Sequence, residues 1–520
     1  MKKIFAVIII TGMISSCSKS FLETLPVDKK TEEDFYKTPA DAYEALVSAY
    51  SMLNMDGYGN IMLSSEIASD NCFGGGGNSD NGWMQWDKSV NMNDLNSNAW
   101  SKYYTAIYRT NIFLQKADNI NFGADEAIKK RYIGEARFLR AYYYFDLVRM
   151  FGNVPLITTP LVPGEYYIPQ TNPDSVYIQI ATDLKAAIAD LPDTKFTSIP
   201  PAEYGRATKW AAEALLGRVF LYYTGYYNKT EIAGVTTQTD AIAAIEDVIN
   251  NSGHDLVPKF GNLFRASAAS TTDYAGQNNP EGVFTIQYTY LGLGNQNQNN
   301  GNRIQVMIGI RSQALLPYYK GWGAGTVNPK LYNAFMPGDT RKSASIISID
   351  DEGFGSTYEK ADQAQYTGFF IKKYTPLNNL KPEDLGGNFQ WDNYDNYMVI
   401  RFADVLLMGA ELQLTTAPGK AQTYYDRVRD RAFQDQAHRI TLTSKQQIMD
   451  ERKYELAMEG QRYWDLLRQG IPVAKQAIDN PSADAAFNIT FRPETKGLFA
   501  IPETQINLSN GSLKQNDGWK

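Results

Sequence analysis

Residues 208–222 read TKWAAEALLGRVFLY, apolar nearly all round the helical wheel and rich in Ala and Gly. Such a helix has no face to offer water, so neighbouring helices must enclose it at close range. This one segment demands a layered helical body, and the first half of the chain supplies the layers. Ala136, Leu139, Tyr143, Leu147 and Met150 recur at spacings of three and four, and Gly152 with Pro155 closes the run. Stretches 100–119, 173–190 and 240–250 are also predicted helices, the second stopped by Leu191-Pro192. Short Pro/Gly connections separate them, as helical hairpins require. Helices are predicted again over 398–414, 420–433 and 444–468. In the last, Ile448, Leu456, Tyr463 and Leu467 keep one apolar face. Stacked hairpins suggest a tetratricopeptide-like scaffold, although no self-similarity at a period of about 34 residues is visible.

Two zones break the pattern. Residues 70–98 hold four glycines at 74–77, read as a flexible loop, followed by Trp83, Trp86, Asp87 and many Asn. Residues 254–396 are Gly/Asn-rich and carry β-like runs at 283–290 and 367–374. An excursion this long on a helical frame is where a ligand is expected. The expected fold class is therefore mainly α, a helical hairpin scaffold with an irregular, partly β ligand-binding face. The scaffold is assigned to about 35–253 and 397–470, the binding region to 70–98 and 254–396, and a C-terminal segment to 471–520.

The N-terminus sets the expected location. Lys2-Lys3, an uncharged apolar run over 4–14 and the small pair Ser15-Ser16 before Cys17 have the layout of a bacterial lipoprotein signal peptide, 1–16. Cleavage before Cys17 and lipidation of its thiol would tether a single domain, 17–520, to a membrane. The apolar run falls short of the roughly 20 residues a spanning helix needs. Cys72 is then the one remaining thiol, so no internal disulfide forms, and a buried side chain is its expected role. Fifty basic against 57 acidic residues give a formal charge of −7, and loss of Lys2 and Lys3 makes the balance more acidic. That argues against nucleic acid and against docking on anionic lipid, both of which need a basic face.

Catalytic groupings are sparse. The two histidines, His254 and His438, stand far apart, so a Ser-His-Asp triad or a multi-histidine metal site is not expected. No cofactor motif is present. Asp350-Asp351-Glu352 reads as a solvated acidic turn, lacking EF-hand spacing. Glu451, Glu455 and Glu459 fall at four-residue intervals among Arg452, Lys453, Arg462 and Arg468. Paired carboxylates can hydrolyse glycosides, but this pattern reads better as an ion-pair network bracing helices. The 34 Tyr, 24 Phe and 8 Trp, with dense Asn and Gln, point instead to binding. Aromatic faces cover sugar rings while amides and charges bond their hydroxyls. The candidate platforms are Trp83, Trp86 and Trp322, with Tyr288 and Tyr290 beside them. Asn81, Asp87, Asn295, Gln296 and Arg311 are the candidate polar contacts.

Several segments carry a family resemblance across nearly the whole chain. They are Cys17 with Phe21-Leu22-Glu23; Tyr108-Arg109-Thr110-Asn111; Gly134-Glu135-Ala136-Arg137-Phe138-Leu139-Arg140-Ala141; and Gly205-Arg206-Ala207 with Leu216-Gly217-Arg218. Arg401-Phe402-Ala403-Asp404, Val428-Arg429-Asp430-Arg431 and the series Glu451-Arg452, Glu455-Leu456, Glu459-Gly460-Gln461-Arg462 and Asp465 follow, and Asn516-Asp517-Gly518-Trp519 completes the set. The chain resembles the SusD/RagB-like family of nutrient-binding outer-membrane lipoproteins. The resemblance implies a non-catalytic, lipid-anchored protein exposed at the cell surface of the outer membrane. It would bind an oligosaccharide or polysaccharide and pass it to a TonB-dependent, SusC-like transporter. A peptide or other nutrient as ligand, or less favourably a glycoside hydrolase, is the alternative. The motif charges themselves read as structural, since Arg and Glu inside apolar helices are tolerated when paired across helices.

Overall fold

The computed structural model describes residues 35–54, 61–77, 96–291 and 300–519. Six helices, α1 (Pro39–Tyr50), α2 (Ser97–Lys116), α3 (Glu126–Phe151), α4 (Pro173–Asp190), α5 (Lys209–Tyr227) and α6 (Gln238–Asn251), each pack on the next. Five of the six starts are set by side-chain caps, that of α2 being the exception: Thr38 and Thr237 form capping boxes with Asp41 and Asp240, and Thr208 accepts from the Ala211 N–H. Helix α5 is buried from Trp210 through Tyr223, as its all-round apolar surface requires. Paired charges tie the layers. Arg140 forks onto Asp183 at 2.7 and 2.8 Å, linking α3 to α4.

After α6 the chain leaves the scaffold and returns through strand β8 (Tyr397–Arg401), antiparallel to β2 (Gly282–Ile286). Helix α7 (Phe402–Gln413) then packs on α6 and on α8 (Pro418–Phe433), so the scaffold resumes where it was interrupted. Arg218 of α5 bonds Asp404 of α7 at 2.6 Å across this seam. Among the described residues, no helix is long and apolar enough to cross a membrane.

Two expected helices are corrected. Residues 398–401 belong to β8, because Met398, Val399 and Ile400 are buried on both faces and pair with β2. A short apolar run reads alike as buried strand or helix, and pairing decides. The stretch 444–468 is broken: α9 (Lys445–Glu455) ends, and a short helix, Arg462–Leu467, follows a turn. Gly460 makes the break at φ +74°, and a Cβ there would lie 2.7 Å from the Met62 Cα. Its N–H donates to the buried Glu66 at 2.8 Å. Glu459 thus lies off the helical face that carries Glu451 and Glu455.

The excursion is built from small pieces. Strand β1 (Cys72–Phe73) pairs with β5 (Thr326–Val327), β3 (Ile310–Arg311) runs parallel to β4 (Lys320–Gly321), and β6 (Ile346–Ser348) pairs with β7 (Phe369–Ile371). Cys72 is buried in the main core. A small second core, with Ile310, Tyr318, Ile347 and Phe370, stiffens the far side.

A buried knot of ions fastens this excursion to the scaffold. Arg401 at the end of β8 bonds Glu281 (2.5 Å), Glu455 (2.9 Å) and Glu459 (2.6 Å). Arg431 of α8 reaches Glu281 at 3.0 Å and also Glu455. Arg341 adds Asp339 (2.7 Å), Glu451 (2.5 Å) and Glu455 (3.2 Å), while Lys373 holds Glu459 (2.7 Å) and Arg429 holds Glu451 (2.6 Å). All ten side chains are buried, and their charges balance, which is the condition under which buried ions are tolerated.

Candidate functional site

Trp322 is placed by main-chain bonds. Asn302 caps a short helix, Arg303–Ile308, by accepting from the Ile304 N–H at 3.0 Å. The Trp322 N–H donates to the Val306 carbonyl at 2.7 Å and the Ala324 N–H to the Met307 carbonyl at 2.8 Å. The approach needs glycine at 321, where a Cβ would stand 2.4 Å from the Val306 carbonyl oxygen. Trp322 is left half-buried, its ring 5.2 Å from the Arg303 guanidinium. The same guanidinium lies 3.9 Å from the Trp391 ring, so a cation sits between two indoles.

Segment 389–394 extends this into a band. Phe389 meets Tyr319 edge-on at 6.4 Å, with the Lys320 ammonium 4.6 Å from the Phe389 ring. Tyr394 meets Tyr290 edge-on at 5.7 Å, with the Arg265 guanidinium 5.6 Å from its ring. Asn302 and Gln305 hold the segment from beneath: the Asn302 Nδ2 donates to the Asp395 carbonyl (2.6 Å) and the Gln305 Nε2 to the Asp395 carboxylate (3.0 Å). The band's rings are half-buried, and Trp322 and Phe389 pack on the main core.

Most charges around the rings are spent on the protein. Arg265 pairs with Asp395 at 2.8 Å, and the Tyr319 hydroxyl donates to Glu383 at 3.0 Å. Burial and then Glu383 push the Tyr319 hydroxyl up to about 12, so it stays a neutral donor near pH 7. The band can therefore offer half-exposed rings with the Tyr319 hydroxyl and the Lys320 ammonium at their edges. Among the described residues no group of three His, Cys, Asp or Glu side chains converges as a metal site.

The residues singled out from the sequence divide three ways. Trp322 and Tyr290 belong to the band. Tyr288 lies half-buried against the main core, its N–H bonded to Asn396 at 2.9 Å. Arg311 is turned into the protein, donating to the Trp322 carbonyl (2.8 Å), the Gly76 carbonyl and Asp362 (2.6 Å). It positions Trp322 and fastens the glycine run at 74–77. That run is also bonded by Gln363 and Gln365 and is pinned, which corrects the reading of a flexible loop. The two irregular zones meet here. Asn81, Trp83, Trp86, Asp87, Asn295, Gln296 and Cys17 lie outside the described residues.

Phe389, Trp391, Tyr394 and Arg303 were not singled out. Gly386-Gly387-Asn388 precedes Phe389 and Trp391 much as glycines precede Trp83, and that parallel is the signal that points to them. The three glutamates Glu451, Glu455 and Glu459 are buried in the ionic knot, where no sugar can reach between them. Burial pushes the Glu455 carboxyl up, but Arg431, Arg401 and Arg341 outweigh it and hold it well below the usual carboxylate range.

Comparison with known proteins gives a consistent picture. A family profile described as "Starch-binding associating with outer membrane" matches residues 20–221, and a SusD family profile matches residues 351–519. SusD-like protein P2 of Formosa agariphila is 28% identical over 490 residues, covering 90% of this chain and 91% of that protein. Starch-binding protein SusD of Bacteroides thetaiotaomicron is 21% identical, covering 98% and 97%. Among solved structures, a laminarin-binding SusD-like protein superposes with a TM-score of 0.76 at 28% identity, covering 93% of this chain and 100% of that one. Tested against the folded scaffold, its interhelical ion pairs and these matches, the resemblance holds: the chain belongs to the SusD/RagB family.

Proposed function

We propose that this protein is a non-catalytic lipoprotein of the outer membrane that captures a glycan at the cell surface and hands it to a TonB-dependent transporter. The observation that carries this reading is the ring band, in which Trp322, Trp391, Phe389, Tyr319, Tyr394 and Tyr290 are held by the main chain and by Arg303, Asn302 and Gln305. Half-exposed rings held in place suit the C–H faces of sugars, and the Tyr319 hydroxyl and Lys320 ammonium beside them suit their hydroxyls. Its carboxylates at the helical core are consumed by the fold, which favours binding over hydrolysis. Lipidation at Cys17 would keep the trap beside its transporter.

A laminarin-type β-glucan is the first ligand to try, because the 28%-identical structural relative is named for that glycan. Calorimetry against laminari- and malto-oligosaccharides, with product analysis after prolonged incubation, tests the reading. Saturable binding with no shortened products supports it. Shortened products would replace it with a hydrolase, and a glycan array without hits beside firm peptide binding would replace the ligand class. Co-purification of a barrel transporter from membranes, lost on Cys17→Ala, tests the anchoring and the partner.

A further inference from the structure

Tyr108-Arg109-Thr110-Asn111 on α2 is one of the sequence's most distinctive motifs, and three of its members have structural work. Arg109 donates to the Ser48 carbonyl (2.6 Å) and the Thr110 hydroxyl to the Ile107 carbonyl (2.8 Å). Asn111 bonds the Ile157 carbonyl (2.8 Å) and accepts from Arg140 (2.9 Å). Tyr108 does none of this. Its side chain is 52% exposed, and its hydroxyl has no partner among the described residues. It stands at the edge of a groove of about 480 Å³ between α2, residues 155–168 and a C-terminal helix, Glu503–Leu508.

We propose that this groove is a second carbohydrate site, taking the rings of a neutral oligosaccharide. Trp100, Tyr104 and Tyr108 follow one another at four-residue spacing on α2 and so line one side. Trp100 forms the floor, buried and braced edge-on by Phe151 at 5.1 Å. Tyr104 is fixed by its hydroxyl bond to the Pro155 carbonyl at 2.9 Å. Tyr166, 61% exposed, faces them as the opposite wall. Gln505 and Ser512 supply an amide and a hydroxyl, and no charged side chain is among the described lining residues.

The occupant follows from that chemistry. The volume lies in the range of about 300–1,000 Å³ usual for small-ligand sites. Rings alternating with hydroxyls and an amide match the alternating C–H faces and hydroxyls of a sugar. A protein partner is the less fitting occupant, because a protein contact of ordinary size carries a polar rim and a broader, flatter patch. The groove shares no lining residue with the band around Trp322, so a long glycan touching both would gain avidity without tighter individual contacts.

The test removes the sites separately. Saturation-transfer NMR is run with laminarihexaose, maltohexaose, cellohexaose and xylohexaose on the wild type, on Trp322→Ala/Trp391→Ala, and on that variant with Tyr108→Ala and Tyr166→Ala added. Both tyrosines are exposed, and unchanged melting temperatures confirm that the fold is intact. Residual transfer in the tryptophan variant that falls about tenfold on adding the tyrosine changes is expected. Loss of all transfer in the tryptophan variant would leave one glycan site and overturn this proposal alone. Residual transfer indifferent to the tyrosine changes overturns it too. A photocrosslinker at position 166 that captures a membrane protein, undisplaced by sugar, makes the groove a protein contact. No transfer in the wild type with any of the four sugars removes this proposal together with the main ligand reading.

Discussion

The ionic knot and the ring band use charge in opposite ways. In the knot, Arg401, Arg431, Arg341 and their glutamates are fully buried and spend every charge on one another. In the band, Arg303 and Lys320 lie over rings of residues that are half-buried. The knot fixes where the excursion joins the scaffold; the band is what the excursion displays. A buried charge left without its partner is costly, so the knot tolerates little change. A half-exposed ring can be removed with loss of a contact but without opening the core. Stability and recognition are thereby separated into different residues.

Substitutions can break that separation. The largest effect is expected from Arg401→Met, which takes one cation from Glu281, Glu455 and Glu459, leaves the buried knot with an excess negative charge and should cost about 3–5 kcal/mol of stability. Urea unfolding measures it, and the folded fraction should bind sugar as the wild type does. A stable variant with lost binding would put the knot in the site and end the comparison. Next come Trp391→Ala and Trp322→Ala, each expected to weaken glycan binding by about 1–3 kcal/mol with the melting temperature unmoved, by analogy with base stacking on aromatic side chains. Calorimetry and calorimetric melting on one sample decide it, and a joint fall in both quantities would make these rings core.

Arg303→Met keeps much of the side chain's bulk and removes the cation between the indoles. A loss of about 0.5–2 kcal/mol in binding is expected, with the rings still in place. Retained affinity would assign Arg303 to packing alone. The smallest signal is the pH response. Glu455 is held below its usual 4.5, so its contribution to stability is full above that value and drains away as pH falls toward the folded value. Acid unfolding should therefore set in below about pH 4.5, while sugar affinity stays flat between pH 6 and 8. A binding curve that titrates in that window would reveal an ionised group in the band.

Legibility from sequence followed how local each signal was. Helix α4 was predicted at 173–190 and spans Pro173–Asp190, because its Asn172 cap and its Pro stop are both adjacent in the chain. The stretch 398–401 misled because strand and helix bury the same Met, Val and Ile, and only pairing with β2 distinguishes them. The bend at Gly460 was hidden because its cause, the neighbouring Met62 backbone and Glu66, comes from some 390 residues away in sequence. Trp322 was visible from its flanking glycines. Arg311 looked like a ligand group, but its guanidinium is taken by the Gly76 and Trp322 carbonyls and by Asp362.

The sequence by itself determined a layered helical body, the pairing role of its internal charges and the zones free to carry a ligand. Those follow from periodicity and composition, which act over a few turns of chain. Tertiary structure alone decided which rings meet. Trp322 and Trp391 meet through Arg303, Phe389 meets Tyr319 and Tyr290 meets Tyr394, each across segments far apart in sequence, and no local pattern encodes those contacts. Sequence periodicity can select a buried helix face, but a shared binding surface exists only once the excursion has closed back on its scaffold.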